Sequence, residues 1–188
     1  AIYNGLGDSV TLEDTTLFEN TASQYGGAIY SAGGGSVTIG SGSVIESNSA
    51  TFGGGIYNSA ELTISGATVT NNGASKYGGG IYNLDFGTVT MSGASLTNNY
   101  SSDLGGGLYS KGTVTLEATD IKYNSAANAG GGFYLASGGS NGPASLTLTY
   151  CTLSNNISPV GAGGAWQTGT HYTDNGGNTI TNPVVEDP

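Results

Sequence analysis

Apolar residues recur along this chain in short runs broken by threonine and glycine, and the runs return with a fixed period. One run is apolar, threonine, apolar: Val10-Thr11-Leu12, Val37-Thr38-Ile39, Leu62-Thr63-Ile64, Val89-Thr90-Met91, Val114-Thr115-Leu116 and Leu146-Thr147-Leu148. Alternation with period 2 predicts a half-buried strand. A second run places an apolar residue three positions before an asparagine: Leu17/Asn20, Ile45/Asn48, Val69/Asn72, Leu96/Asn99, Ile121/Asn124 and Leu153/Asn156. A third ends a glycine pair or triplet with an apolar residue and a tyrosine, as in Gly26-Gly27-Ala28-Ile29-Tyr30 and Gly53-Gly54-Gly55-Ile56-Tyr57. It returns at Tyr82, Tyr109 and Tyr134. Ala1-Ile2-Tyr3-Asn4 is the back half of an earlier copy, and Gly163-Gly164-Ala165-Trp166 reads as a degenerate last one.

No 3.6-residue period appears, and glycine and β-branched residues disfavour helix throughout. Three short strands per 25–27 residues cannot each bury a face alone. They can if every repeat is one coil stacked on the next. The expected fold is therefore all-β: a single-stranded parallel β-helix of about six coils, three strands per coil, each coil adding one strand to each of three parallel sheets. Residues 1–182 form this repeat domain, ending in a last strand around residues 176–181, and 183–188 read as a C-terminal linker or tail. Insertions should fall at one corner, the largest at 136–144.

The columns assign roles. Ile29, Ile56, Ile81, Leu108 and Phe133 point inward. Val37, Ile39 and their equivalents make a second inward column, and a third is small: Thr15, Ser43, Ala67, Ala94, Thr119 and Cys151. Cys151 is the only cysteine, so no intrachain disulfide exists, and it reads as a core residue. Asn20, Asn48, Asn72, Asn99, Asn124 and Asn156 read as a ladder of stacked amides at a tight bend, where asparagine also tolerates left-handed backbone. Asn99-Tyr100-Ser101 and Asn156-Ile157-Ser158 match glycosylation sequons, but as ladder members neither should carry sugar. Alternation places Tyr30, Tyr57, Tyr82, Tyr109 and Tyr134 outward, with Tyr3 and Trp166 extending the row. Stacking between coils is one use for that column; a platform for sugar rings or a cell-surface partner is the other. Thr11, Thr38, Thr63, Thr90, Thr115 and Thr147 form a second outward column, a good exposed strand surface and, as a minor alternative, an ice-binding array.

Composition narrows the function classes. Of 188 residues 35 are glycine and 9% are charged, with 13 acids, three lysines, no arginine and a formal charge of −10. A nucleic-acid binder or a polybasic membrane contact needs cations this chain lacks, and no apolar run is long enough for a spanning helix. The only dense acid group is Asp8, Glu13, Asp14 and Glu19. It suits solvated turns better than a carboxylate pair for glycoside hydrolysis or a calcium site, and calcium has no clear motif. The lysines, Lys76, Lys111 and Lys122, fall on separate coils, and His171 lies near the degenerate end. No nucleophile–base constellation is readable. The expectation is no catalytic residue, no metal and no cofactor.

The glycine–apolar–tyrosine motif with its following asparagine resembles the repeat of the polymorphic outer membrane proteins and related bacterial surface proteins. The similarity spans residues 1 to about 166. It implies right-handed parallel β-helix coils, similar to the pectate-lyase-like superfold, and the crossover rule favours the same hand. It also implies an exported protein, extracellular or cell-surface, structural or adhesive. The expected role is a rigid spacer or display scaffold; a carbohydrate-binding or polysaccharide-active β-helix is the alternative. Ala1 begins inside a repeat with no leader before it. A longer parent chain would explain this, as would a second chain filling the open coil. The second case is head-to-tail self-association, which builds filaments.

Overall fold

The computed structural model describes residues 1–137 and 142–187. Among these no helix occurs, and every strand pairing is parallel. The first sheet, the tyrosine sheet, has eight strands in coil order: Ile2–Asn4, Ile29–Ser31, Ile56–Asn58, Ile81–Asn83, Leu108–Ser110, Phe133–Leu135, Gly164–Gln167 and Val184–Asp187. The threonine sheet has seven, from Ser9–Leu12 to His171–Asp174, and the third has seven, from Thr16–Phe18 to Thr179–Ile180. Numbering coils by their tyrosine-sheet strand, about six full turns stack before a shorter seventh. Register is strict: Ile29 pairs with Ile56, Ile56 with Ile81, and Ile81 with Leu108.

A fourth, four-stranded sheet adds to the three expected. It comprises Ser49–Phe52, Gly73–Tyr77, Tyr100–Ser101 and Ser125–Ala126, directly after the ladder asparagines. The core is a continuous apolar column inside the coil, with Ile29, Ile39, Ile45, Leu62, Met91, Leu96 and Phe133 among its fully buried members. The small column packs there too: Ser43, Ala67, Ala94, Thr119 and Cys151 are all buried. Glycine is required where the chain turns back into the tyrosine sheet. Gly53 has φ 64°, and a Cβ on Gly54 would run into the backbone of the next coil at Gly73 and Gly79.

Two boundaries differ from the sequence reading. The segment read as a linker, 183–188, contains Val184–Asp187, which pairs with Gly164–Gln167 as the last strand of the tyrosine sheet. It is the edge strand of that sheet, two half-buried valines followed by Glu186 and Asp187, and charged residues on an edge discourage further strand pairing. The degenerate repeat is also shifted by one. Gly164, not Ala165, pairs with Phe133, so Ala165 falls in the tyrosine column and Trp166 pairs with Leu135. Phe133 is larger than the isoleucines above it, and its ring fills the space where a Cβ on Gly164 would lie. The expected insertion at 136–144 lies partly outside the described residues.

Candidate functional site

The tyrosine column points away from the core, as alternation requires, but it is not open to solvent. Tyr57, Tyr82, Tyr109 and Tyr134 are all buried, and only Tyr3 at the first coil is widely exposed. The rings stack face to face down the solenoid: Tyr3–Tyr30 5.3 Å, Tyr30–Tyr57 5.2 Å, Tyr57–Tyr82 5.1 Å, Tyr82–Tyr109 5.0 Å and Tyr109–Tyr134 5.7 Å, with interplanar angles of 5–10°. A second column covers them. Tyr25, Phe52, Tyr77, Leu104, Ala129 and Val160 each precede a glycine motif and bridge to one another from coil to coil. Tyr25 lies 4.7 Å from Tyr57, Phe52 5.6 Å from Tyr82 and Tyr77 4.8 Å from Tyr109, ring centre to ring centre. The result is a second, smaller hydrophobic core outside the coil.

The sugar platform expected from Tyr30, Tyr57, Tyr82, Tyr109, Tyr134 and Trp166 is therefore corrected. Four of those rings are sealed between neighbours, and Trp166 turns to the main core, stacked on Tyr172 at 5.2 Å. Burial pushes the Tyr82 phenol up to about 12, with the charge of Asp85 acting in the same direction. Burial raises Tyr57, Tyr109 and Tyr134 as well, and at Tyr134 the hydrogen bond its hydroxyl donates to Asp187, 2.8 Å, adds to the effect.

The asparagines sit at the bend that follows the third sheet. Asn20, Asn48, Asn72, Asn99 and Asn124 each donate from Nδ2 to the Oδ1 of the next asparagine down the axis at 3.0 Å, ending on Asn156. Each backbone N–H donates to that same Oδ1, and Asn156 N–H extends the chain to Asn182. The left-handed residue is not the ladder asparagine but the one before it: Glu19, Ser47, Asn71, Asn98, Tyr123 and Asn155 all have φ near 55°. Asn99 and Asn156 of the two sequons are buried with their amides engaged.

A second polar column went unread in the sequence. Each tyrosine of coils 1–5 is followed by Asn4, Ser31, Asn58, Asn83 or Ser110, all buried. Asn58 Nδ2 donates to Asn83 Oδ1 at 2.9 Å, and Asn83 Nδ2 to Ser110 Oγ at 3.1 Å. The available signal was the residue after each tyrosine.

The remaining candidates are separated by the fold. Thr11, Thr38, Thr63, Thr90, Thr115 and Thr147 pair in direct register on an outer face, and Thr173 continues the column. Asp8, Glu13, Asp14 and Glu19 are exposed at successive turns of the first coil. Among the described residues no three His, Cys, Asp or Glu side chains gather to hold a metal. Cys151 is buried, its thiol donating to the Leu116 and Thr149 carbonyls, and burial raises its pKa. His171 is exposed at the start of its strand. Lys122 pairs with Asp120 at 2.8 Å, and Lys76 lies 5.8 Å from the Phe52 ring centre.

Strict coil-to-coil register, buried amide ladders and a stacked aromatic column define a parallel β-solenoid whose repeats are held mainly by identical neighbours. The family model for the right-handed β-helix region matches residues 3–185, and the chain belongs to that family. The family includes both enzymes and non-enzymes. No curated protein and no solved structure gives a significant match. No described helix is long and apolar enough to cross a membrane.

Proposed function

We propose that this chain is a rigid spacer or display module of an extracellular or cell-surface protein, working without catalysis. The observation that carries the reading is the continuity of its axial bonding. The asparagine ladder runs from Asn20 to Asn156 and the tyrosine stack from Tyr3 to Tyr134 without a break. Each coil is thereby fastened to the next by two side-chain columns as well as by its sheets. Six coils at about 4.8 Å each give a rod of roughly 30 Å, and its outer rows are mostly threonine and serine, which hydrate without charge repulsion. The resemblance to bacterial surface repeats supports the same reading.

Pulling the chain between its ends in a single-molecule instrument tests it. A stiff module resists until coils release in discrete steps. Smooth low-force extension, or turnover of any polysaccharide by the purified chain, overturns the proposal.

A further inference from the structure

The connections between the tyrosine and threonine sheets vary in length from coil to coil. Four residues, 32–35, link the two strands in coil 2, only two, 59–60, in coil 3, and four, 84–87, in coil 4. The short loop lies between two long ones, so the corner carries a notch one coil thick. Its walls stand two coil spacings apart, about 10 Å. The resulting cleft has a volume of about 580 Å³, within the usual range for small-ligand sites.

Its lining is mixed. One wall is the bare backbone of Gly33 and Gly34. At Gly33 an added Cβ would touch only the Ser59 carbonyl oxygen, at an ordinary 3.6 Å, so the fold itself does not demand glycine there. The other wall carries Phe86, an aromatic ring 62% exposed at the tip of its turn. The floor holds Ser59 and the exposed carboxylate of Glu61.

We propose that this notch binds one pyranose unit of an uncharged or amino-bearing polysaccharide. A pyranose chair is about as thick as the missing layer of coil. The electron-rich face of Phe86 suits the polarised C–H groups of a sugar ring, and the Glu61 carboxylate accepts hydrogen bonds from hydroxyl or ammonium groups. The chain's charge of −10 and the carboxylate on the floor disfavour uronate polymers by like-charge repulsion. This site lies away from the sealed tyrosine column and goes beyond the spacer role.

Calorimetric titration of the whole chain with cello-, manno- and chito-oligosaccharides, chitosan oligomers and oligogalacturonate tests the proposal. At least one neutral or amino oligosaccharide binds, and oligogalacturonate binds at least tenfold more weakly. Phe86→Ala weakens binding at least fivefold. A Gly-Gly insertion between Ser59 and Ala60, which fills the notch, abolishes it while the circular dichroism keeps the β-sheet signature of the parent. The melting temperature falls, because the insertion separates Asn58 from the Ala60 backbone it bonds, and Phe86→Ala supplies the variant with an undisturbed fold. Glu61→Gln separates the two sources: affinity falls at least tenfold for an amino sugar and less than threefold for a neutral one. Absence of binding across the panel, binding that survives the insertion, or equal affinity for oligogalacturonate overturns the proposal.

Discussion

Replacing Asn99 by alanine removes one rung from the middle of the ladder. Asn99 Oδ1 accepts from the backbone N–H and from Nδ2 of Asn72, each at 3.0 Å, and its own Nδ2 donates to the Val69 carbonyl and to Asn124 Oδ1, again at 3.0 Å. After truncation Asn124 Oδ1 still accepts from the backbone N–H of residue 99, and Asn72 Nδ2 keeps its bond to Ile45. The groups left orphaned are the Asn72 N–H and one Nδ2 hydrogen, both buried. At about 1–3 kcal/mol for each buried unsatisfied group, the loss is about 2–6 kcal/mol. An exposed change on the same coil, Ser92→Ala, should stay within about 0.5 kcal/mol. Guanidinium denaturation followed by circular dichroism measures both. Asn99→Asp separates hydrogen bonding from packing. Its carboxylate still accepts from Asn72 but faces the Val69 and Asn124 oxygens, so its folded pKa rises above the unfolded value of about 3.9. Its contribution to stability is therefore intact below about pH 4 and lost as pH climbs through the folded pKa. An Asn99→Ala loss no larger than that of Ser92→Ala, or an aspartate variant indifferent to pH, would refute the ladder's energetic role.

Two further outcomes follow from the aromatic columns. Tyr57, Tyr82, Tyr109 and Tyr134 are raised above their unfolded value near 10, so the stability they contribute is complete below pH 10 and declines as pH rises toward their folded pKa values. Each tyrosine still protonated in the fold and ionised in the unfolded chain removes about 1.4 kcal/mol per pH unit, so denaturation at pH 10–11.5 should show a steep fall, shallower by one proton in Tyr109→Phe; a flat profile would contradict the burial. Gly164→Ala should destabilise by about 1–3 kcal/mol through collision with the Phe133 ring, and adding Phe133→Leu should recover part of that loss. A double-mutant cycle measures the coupling, and additivity within about 0.5 kcal/mol would show that Phe133 does not set the register there.

The period, the inward columns and the asparagine bend were legible because each is a statement about one coil repeated. Val37 and Ile39 point inward for the same reason as Val89 and Met91, and one strand's alternation suffices to say so. The burial of the tyrosines was not legible by that rule. Alternation tells which side of its strand Tyr82 occupies, but not whether another segment covers that side. The cover comes from single residues, Tyr25, Phe52 and Tyr77, one per coil, too sparse to register as a strand pattern. The left-handed residue at the asparagine bend was misplaced by one position for a related reason. Its identity varies, from Glu19 through Ser47 to Tyr123, because the amide bonds of its neighbour hold the conformation.

A ladder demands sameness from coil to coil, whereas a specific binding site demands a difference. Every column that repeats faithfully here, whether asparagine, tyrosine, threonine or the inner aliphatics, is already occupied in fastening or hydrating the solenoid. The tyrosines illustrate the cost of reading function from repetition: their regular spacing suggested a platform, and the same regularity lets each ring be taken up by its neighbours. Side chains free to recognise something else must therefore lie where the period fails. Among the described residues the connection between the tyrosine and threonine sheets is such a place, changing from four residues to two and back across coils 2–4. That change leaves Phe86 and Glu61 without a counterpart in the adjoining coils: Phe86 stands on a turn coil 3 does not have, and Glu61 lies in register between Ser36 and Thr88. The notch is thus the point at which the repeat's own logic releases an aromatic ring and a carboxylate from structural duty and sets them on one cleft.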